Sequence, residues 1–368
     1  MIIFLDLINI KKGGAVQVGL SVIHEFAKQK NILIHCFVNG SIFNQIDEFL
    51  YHGKVIFHEF TPSTQKLVQR RIVERHMRKM EAELKPDVVF TLFGPSYWQP
   101  SVVHVSGFAD GWCYNPNSLA WETLGFKDKL RFKVITWLKV RRVLRSNFLI
   151  VETDLAKKAI VTLYGFPESR IFTVGNTYNH FFNEFEENPP RKVHHPFKLL
   201  VLSAYYPHKN LNIIRDVVKL LSLDSSVEVE FVLTLPDDIY NENFSETKNV
   251  INVGPVAVED CRELYKNSDA LFLPTLLETF TANYPEAMKM GLPIITSNLD
   301  FARYVCGEAA LYFDPLSPEQ IAVKIKNLVI DPRLREVLIA RGFERLLSLE
   351  TPESRAEKYL EILKISAN

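Results

Sequence analysis

Ala270-Leu-Phe-Leu-Pro-Thr-Leu-Leu-Glu278-Thr-Phe-Thr-Ala-Asn-Tyr-Pro-Glu286-Ala-Met-Lys-Met-Gly-Leu-Pro293-Ile-Ile-Thr-Ser-Asn298 is the stretch that decides the fold. An apolar run over Ala270–Pro274 reads as a buried strand, Glu286–Met290 as a helix, and Pro293–Thr296 as the next strand. Strand, helix and strand within so few residues is a βαβ unit, which implies a parallel sheet covered on both faces. Working outward, the same rhythm recurs. Lys198–Ser203, Val227–Leu233 and Val250–Val253 are further strands, with helices over Asn210–Leu221 and Glu259–Lys266. Upstream, Phe185-Glu-Glu-Asn-Pro-Pro-Arg-Lys-Val-His-His-Pro196 is polar and proline-rich and reads as a linker. Before it the alternation appears again: strands over Ile2–Leu7, Leu33–Val38, Val88–Leu92, Val102–Ser106 and Phe148–Val151, helices over Val16–Lys28 and Gln65–Leu84. The expectation is α/β, with two tandem Rossmann-like, doubly wound domains.

Composition narrows the partners. The 368 residues carry 43 basic and 43 acidic side chains, so no global field draws nucleic acid. The four cysteines, Cys36, Cys113, Cys261 and Cys306, lie far apart, with neither zinc spacing nor a disulfide framework, which fits a reducing cytosol. Met1-Ile-Ile-Phe-Leu-Asp6 is broken by Asp6 and reads as a buried strand, not a signal peptide. No apolar run approaches the ~20 residues that span a bilayer. A cytoplasmic protein is expected, with peripheral placement on the inner face of a membrane left open.

Ligands of such sheets bind at the carboxyl ends of the strands, where loops feed helix N-termini. Two loops there carry candidate chemistry. In Asn9-Ile-Lys-Lys-Gly13-Gly14, paired glycines let backbone N–H groups approach a phosphate or a sugar; the plain alternative is a tight turn. In Glu278 to Glu286, two carboxylates flank a helix start, with Pro285 suited to that start. Carboxylates accept from hydroxyls and backbone N–H groups bind a diphosphate, so a nucleotide sugar matches the arrangement. The alternative is two solvated glutamates beside a helix.

These residues resemble the glutamate–x7–glutamate segment of the retaining glycosyltransferase family 4, of GT-B fold. The resemblance extends to Leu202-Ser-Ala-Tyr-Tyr-Pro-His-Lys209, to Val253-Gly-Pro-Val256, to Cys306-Gly-Glu-Ala-Ala-Leu-Tyr-Phe-Asp-Pro315, and more loosely to Gly13-Gly14 and Ile171-Phe-Thr-Val-Gly-Asn176. It implies an acceptor-side domain over residues 1–190, a nucleotide-sugar domain over 191–350 facing it across a cleft, and a helix over 351–368 crossing back to the first. Glu286 then resembles the ribose-binding carboxylate, Glu278 the one beside the donor sugar, and Lys209 the cation on the diphosphate, Glu278 and Lys209 being the catalytic pair. Phe280 and Thr281 offer backbone N–H groups, Gly254, Pro255 and Val256 flank the base, and Gly13 and Gly14 reach the phosphate or sugar.

The implied reaction moves a hexose-type sugar from a UDP- or GDP-sugar, with retention, to a saccharide or lipid-linked acceptor in cell-surface polysaccharide biosynthesis. No cofactor or metal is expected. Asp-x-Asp is absent, and the nearest acidic pair, Glu184-Phe-Glu186, falls in the linker. The chain departs from the family at Ala204, where an arginine usually precedes the lysine by five residues; His208, Lys11 or Lys12 are candidate replacements for that cation. It also lacks the histidine usual after the strand Val102–Val105, and reads Ser106-Gly-Phe-Ala-Asp110-Gly-Trp112 instead. Asp110, Trp112 and His104 are the acceptor-side candidates. For each a structural role competes, a core histidine for His104 and a turn for the other two.

One segment stands apart. From Phe126 to Asn147, eight cations (Lys127, Lys129, Arg131, Lys133, Lys139, Arg141, Arg142 and Arg145) face the single acid Asp128, with Leu130, Val134, Trp137 and Leu138 at helical spacing. Such a helix suits an anionic lipid surface; the competing expectation is an apolar stripe packed on the first sheet. Rival functions are a nucleotide-sugar epimerase or phosphorylase, and a catalytically silent nucleotide-sugar binder suggested by Ala204. Gly13-Gly14 lacks the spaced glycines of a dinucleotide fingerprint, which argues against an oxidoreductase.

Overall fold

The computed structural model describes residues 1–11, 13–60, 67–183 and 193–367. Most of the expected linker, Glu184-Phe-Glu186, and Lys12 lie outside the described residues. The chain divides into two compact units. The first comprises Met1–Pro116, Phe126–Asn176 and the chain from Glu350 onward, the second Asn117–Gly125 and Thr177–Leu349.

The first unit holds seven strands: β1 (Ile2–Asp6), β2 (Leu33–Val38), β3 (Val55–Glu59), β4 (Val88–Thr91), β5 (Val103–Gly107), β6 (Phe148–Val151) and β7 (Ile171–Thr173). Their order is β3-β2-β1-β4-β5-β6-β7, and every pairing is parallel. The second unit holds six more: β8 (Phe197–Val201), β9 (Val229–Leu233), β10 (Val250–Asn252), β11 (Ala270–Leu273), β12 (Ile294–Ser297) and β13 (Ala310–Phe313). Their order, β10-β9-β8-β11-β12-β13, is again parallel throughout and repeats the first six positions of the other sheet. Both sheets are Rossmann-like, and each has its switch point where the winding reverses, between β1 and β4 and between β8 and β11.

The central strands are buried on both faces, as helices on either side require. Val88-Val-Phe-Thr91 and Ala270-Leu-Phe-Leu273 are buried along their whole length. At the end of β5, Gly107 is obligatory: a Cβ there would stand 1.8 Å from the Leu92 carbonyl oxygen. The helix Pro352–Ala367 adds Ala356, Tyr359, Leu360 and Leu363 to the core of the first unit. Its buried Arg355 donates to Asn176 Oδ1 (2.7 Å) and Ser21 Oγ (2.8 Å), so the charge enters the core with hydrogen-bond partners.

Three local expectations are corrected. The helix expected over Asn210–Leu221 begins only at Ile213, because Pro207–Lys209 is a 3-10 turn closed by Asn210 in the left-handed region. The helix expected around Glu286 begins earlier, at Asn283, and Pro285 sits in its first turn, where a missing N–H is harmless. The helix Phe126–Val143 buries Val140 and Val143, whereas Leu130, Val134, Trp137 and Leu138 are exposed. Its expected apolar stripe therefore does not pack on the sheet.

Candidate functional site

The second unit concentrates the candidate chemistry on the loops that follow β8 and β11, the two strands at its switch point. After β8 the chain turns through Pro207–Lys209 and presents Lys209. After β11 it runs through Thr275-Leu-Leu-Glu278 into the helix Asn283–Lys289. The two loops are tied by backbone and side chain. Leu276 N donates to His208 O at 2.7 Å, and Thr275 Oγ1 to the same carbonyl at 3.2 Å. Asn283 Nδ2 donates to Leu202 O at 2.6 Å, while Asn210 Nδ2 ties the first loop to the one after β13 by donating to Pro315 O at 2.8 Å. The short piece Asn117–Gly125 joins the same unit, with Ser118 Oγ donating to Leu276 O at 3.1 Å.

This scaffold brings Lys209 and Glu278 together: the ammonium donates directly to Glu278 Oε1, which also accepts from Thr275 Oγ1 at 3.2 Å. Both side chains are mostly buried, 21% and 14% exposed, so the pair is shielded from the screening that weakens surface ion pairs. Glu286, one turn into its helix, is buried among apolar side chains and accepts from the Tyr265 hydroxyl at 2.8 Å. Burial pushes its carboxyl from 4.5 up to about 7, the Tyr265 hydrogen bond opposing the shift. Neither glutamate is therefore the solvated side chain of the plain reading. Between them, Phe280 is buried and Thr281 half-buried. Ala282, which precedes the helix, has no side-chain oxygen to cap it.

Gly254, Pro255 and Val256 follow β10, the edge strand two places from β8. Gly254 has φ +76°, a conformation that favours glycine, and a Cβ on it would meet nothing within 4 Å. Ala204 is exposed on the loop between β8 and the 3-10 turn.

The first-unit candidates sit at its own strand ends. Gly13 (φ +71°) precedes the helix Gly14–Ala27, and a Cβ on either glycine would meet no atom within 4 Å, leaving room for a ligand at the helix start. Asp110 accepts from Trp112 N at 3.2 Å, which caps the short helix Gly111–Tyr114, and pairs with Lys139 Nζ at 2.6 Å. The Trp112 ring lies 5.2 Å from that of Phe132. His104 is buried on β5 with Nε2 2.9 Å from Thr91 Oγ1 and Nδ1 3.3 Å from Ser146 Oγ, and burial lowers its imidazole to about 4. It is neutral at physiological pH and held in the core.

Sequence reasoning missed several residues. Tyr265 and Thr275 hold the two glutamates from the helix Val258–Lys266 and from the loop itself. Asp6, at the end of β1, is buried and accepts from Ser96 Oγ (2.9 Å), Thr91 Oγ1 (3.2 Å) and Ile8 N (3.2 Å), with burial raising its carboxyl. The one signal for Asp6 was a charged residue ending an otherwise apolar strand.

Residues 182–345 match the family model "Glycosyl transferases group 1". The O-antigen chain mannosyltransferase B of Escherichia coli is 23% identical over 210 residues, 54% of this chain and 55% of that protein, so the match spans about half of each. Among solved structures, a glycosyltransferase from Rickettsia africae superposes with a TM-score of 0.74 at 14% identity, covering 99% of this chain and 98% of that one. Anabaena HepE, solved with UDP-glucose, superposes at 0.70 with 15% identity and 99% coverage of both. The structures establish the fold, and the family match covers the stretch that carries Lys209, Glu278 and Glu286.

Proposed function

We propose that the chain is a retaining, metal-independent glycosyltransferase that moves a hexose-type sugar from a UDP- or GDP-sugar to a saccharide or lipid-linked acceptor, in the assembly of a cell-surface polysaccharide. The observation that carries the reading is the shielded Lys209–Glu278 pair on the loops at the β8/β11 switch point, with Glu286 buried in the helix that follows. Rossmann-like sheets bind nucleotides at that point. The group 1 match over residues 182–345, and relatives named for O-antigen mannosyl transfer and solved with UDP-glucose, support the same assignment.

In this reading Lys209 faces the diphosphate and offsets the charge that develops as the bond between the anomeric carbon and the phosphate oxygen breaks. The acceptor hydroxyl forms its bond to the anomeric carbon on the same face, and its proton passes to the departing phosphate. Glu278 orients the donor sugar and keeps the ammonium in place before the donor arrives. Glu286 accepts from the ribose hydroxyls, Gly254 to Val256 flank the base, and Gly13 and Gly14 provide space for the phosphate or sugar. Because a lysine supplies the positive charge, no metal is invoked. Asp110 and Trp112 remain the acceptor-side assignment, and a lipid-linked acceptor calls for peripheral placement at the cytoplasmic face of a membrane.

Ala204, in place of the second cation, favours one competitor, a silent nucleotide-sugar binder. A thermal-shift panel of nucleoside diphosphates and their sugars tests the reading. One base should stand out, since a ligand at 100 times its Kd stabilises by about 2.7 kcal/mol. Sugar release or transfer from the selected donor in the presence of glycan extracts then separates the enzyme from the silent binder. A flat panel across all bases refutes both.

A further inference from the structure

The helix Phe126–Val143 has two apolar faces, and its own unit uses only one. At 3.6 residues per turn, Phe132, Val140 and Val143 fall on one side of the helix. Val140 and Val143 are buried in a core cluster of the first unit, Phe132 packs near Trp112, and Lys139 on the same side pairs with Asp110. The other side carries Phe126, Leu130, Val134 and Trp137, spaced four, four and three residues apart so that they form one stripe. Phe126 is 84% exposed, Leu130 58% and Trp137 57%. A helix that only closes a sheet presents polar residues outward, so this stripe calls for a partner.

The charges flanking the stripe identify it. Lys127, Arg131, Lys133 and Arg141 are all exposed alongside the apolar residues, and the guanidinium of Arg141 lies 5.4 Å from the Trp137 ring centroid. The helix contains a single acid, Asp128. A second copy would set the same cations against each other, and nucleic acid offers nothing for an outward Phe–Leu–Val–Trp stripe. An anionic lipid surface satisfies both parts: the apolar side chains enter the acyl boundary, the tryptophan rests at headgroup depth, and long basic side chains reach back to lipid phosphates. Among the described residues no helix is long and apolar enough to cross a membrane, so this contact lies in the plane of the interface.

We propose that the outward face of Phe126–Val143 docks the protein on anionic lipid, with Phe126, Leu130, Val134 and Trp137 inserted and Lys127, Arg131, Lys133 and Arg141 on the headgroups. The inference goes beyond the donor reading and holds whatever sugar the second unit takes. The full chain is sedimented with vesicles of phosphatidylcholine alone and of phosphatidylcholine with phosphatidylglycerol. It should pellet only with the anionic vesicles, and increasingly less as salt shortens the screening length. Arg131→Gln with Lys133→Gln should weaken binding about fivefold for each cation removed. Leu130→Ser with Trp137→Ser should abolish the part that survives salt. All four substituted side chains are exposed, so an unchanged melting transition and unchanged nucleotide binding show that the fold and donor site are intact. A wild-type chain that stays in the supernatant with anionic vesicles overturns the proposal, as do variants that pellet like wild type. A dimer dissociated by the Leu130 and Trp137 changes, with no vesicle binding, overturns it in favour of self-association.

Discussion

Replacing Glu286 with glutamine should make the protein relatively more stable as pH rises. Burial lifts the Glu286 carboxyl from 4.5 to about 7. At 1.36 kcal/mol per pH unit, that shift is worth about 3 kcal/mol as an order of magnitude. The sign follows from proton binding. Between these two values the native state holds a proton that the unfolded chain releases, so this group's contribution is fully present below pH 4.5 and is lost as pH rises to 7. Above pH 7 the apo protein carries a buried carboxylate eased only by the Tyr265 hydroxyl. Glu286→Gln keeps the shape and an acceptor for Tyr265 but removes the titration. Its extra amide N–H imposes a constant offset of roughly 1–3 kcal/mol if unpaired, which leaves the slope untouched. Urea unfolding of wild type and variant at intervals from pH 4.5 to 8, followed through the transition of the second unit, measures the difference. The variant should gain on wild type by about 3 kcal/mol across that range and then level off. A gap that stays constant with pH refutes the burial argument. The same physics predicts that nucleotide affinity, if ribose hydroxyls favour the ionised carboxylate, increases as pH rises towards 7.

Lys209→Met strands Glu278 without its cation and takes positive charge from the diphosphate; kcat should fall on the order of 10²–10³-fold, which steady-state kinetics reads directly. Gly14→Val, at a position where a Cβ meets no protein atom within 4 Å, should depress turnover more than nucleotide affinity, and equal losses in both would count against a ligand role. Asp110→Ala removes a helix cap and the Lys139 ion pair; about 1 kcal/mol of stability should go with the cap alone. An acceptor KM that rises while the melting temperature holds would mark Asp110 as a binding residue instead. Transfer should persist in excess EDTA, and activity lost there and restored by manganese would overturn the role given to Lys209.

The strands in the middle of both sheets were legible because buried parallel strands are continuous apolar runs: Leu33–Val38 and Phe148–Val151 match to the residue. The edges were not. β3 mixes Val55, Ile56 and Phe57 with His58 and Glu59, and β7 is only three residues long, so neither gives a run that separates it from loop. The Glu278-to-Glu286 segment announced itself through its carboxylates, but their states did not. That Glu286 is buried beside Tyr265, and that Lys209 reaches Glu278, depends on contacts between elements far apart in sequence. Periodicity found the apolar stripe of Phe126–Val143 but not its direction. The inward residues Phe132, Val140 and Val143 were too few to register beside the more conspicuous outward set.

The central claim is that Glu286 holds the nucleotide and Glu278 serves the transfer. Once the thermal-shift panel has selected a nucleotide, its affinity is measured by calorimetry, in parallel with donor turnover, for wild type, Glu286→Ala and Glu278→Ala. The account predicts that Glu286→Ala weakens nucleotide binding, while Glu278→Ala binds much as wild type does and turns over far more slowly. Unchanged affinity in Glu286→Ala contradicts the assignment.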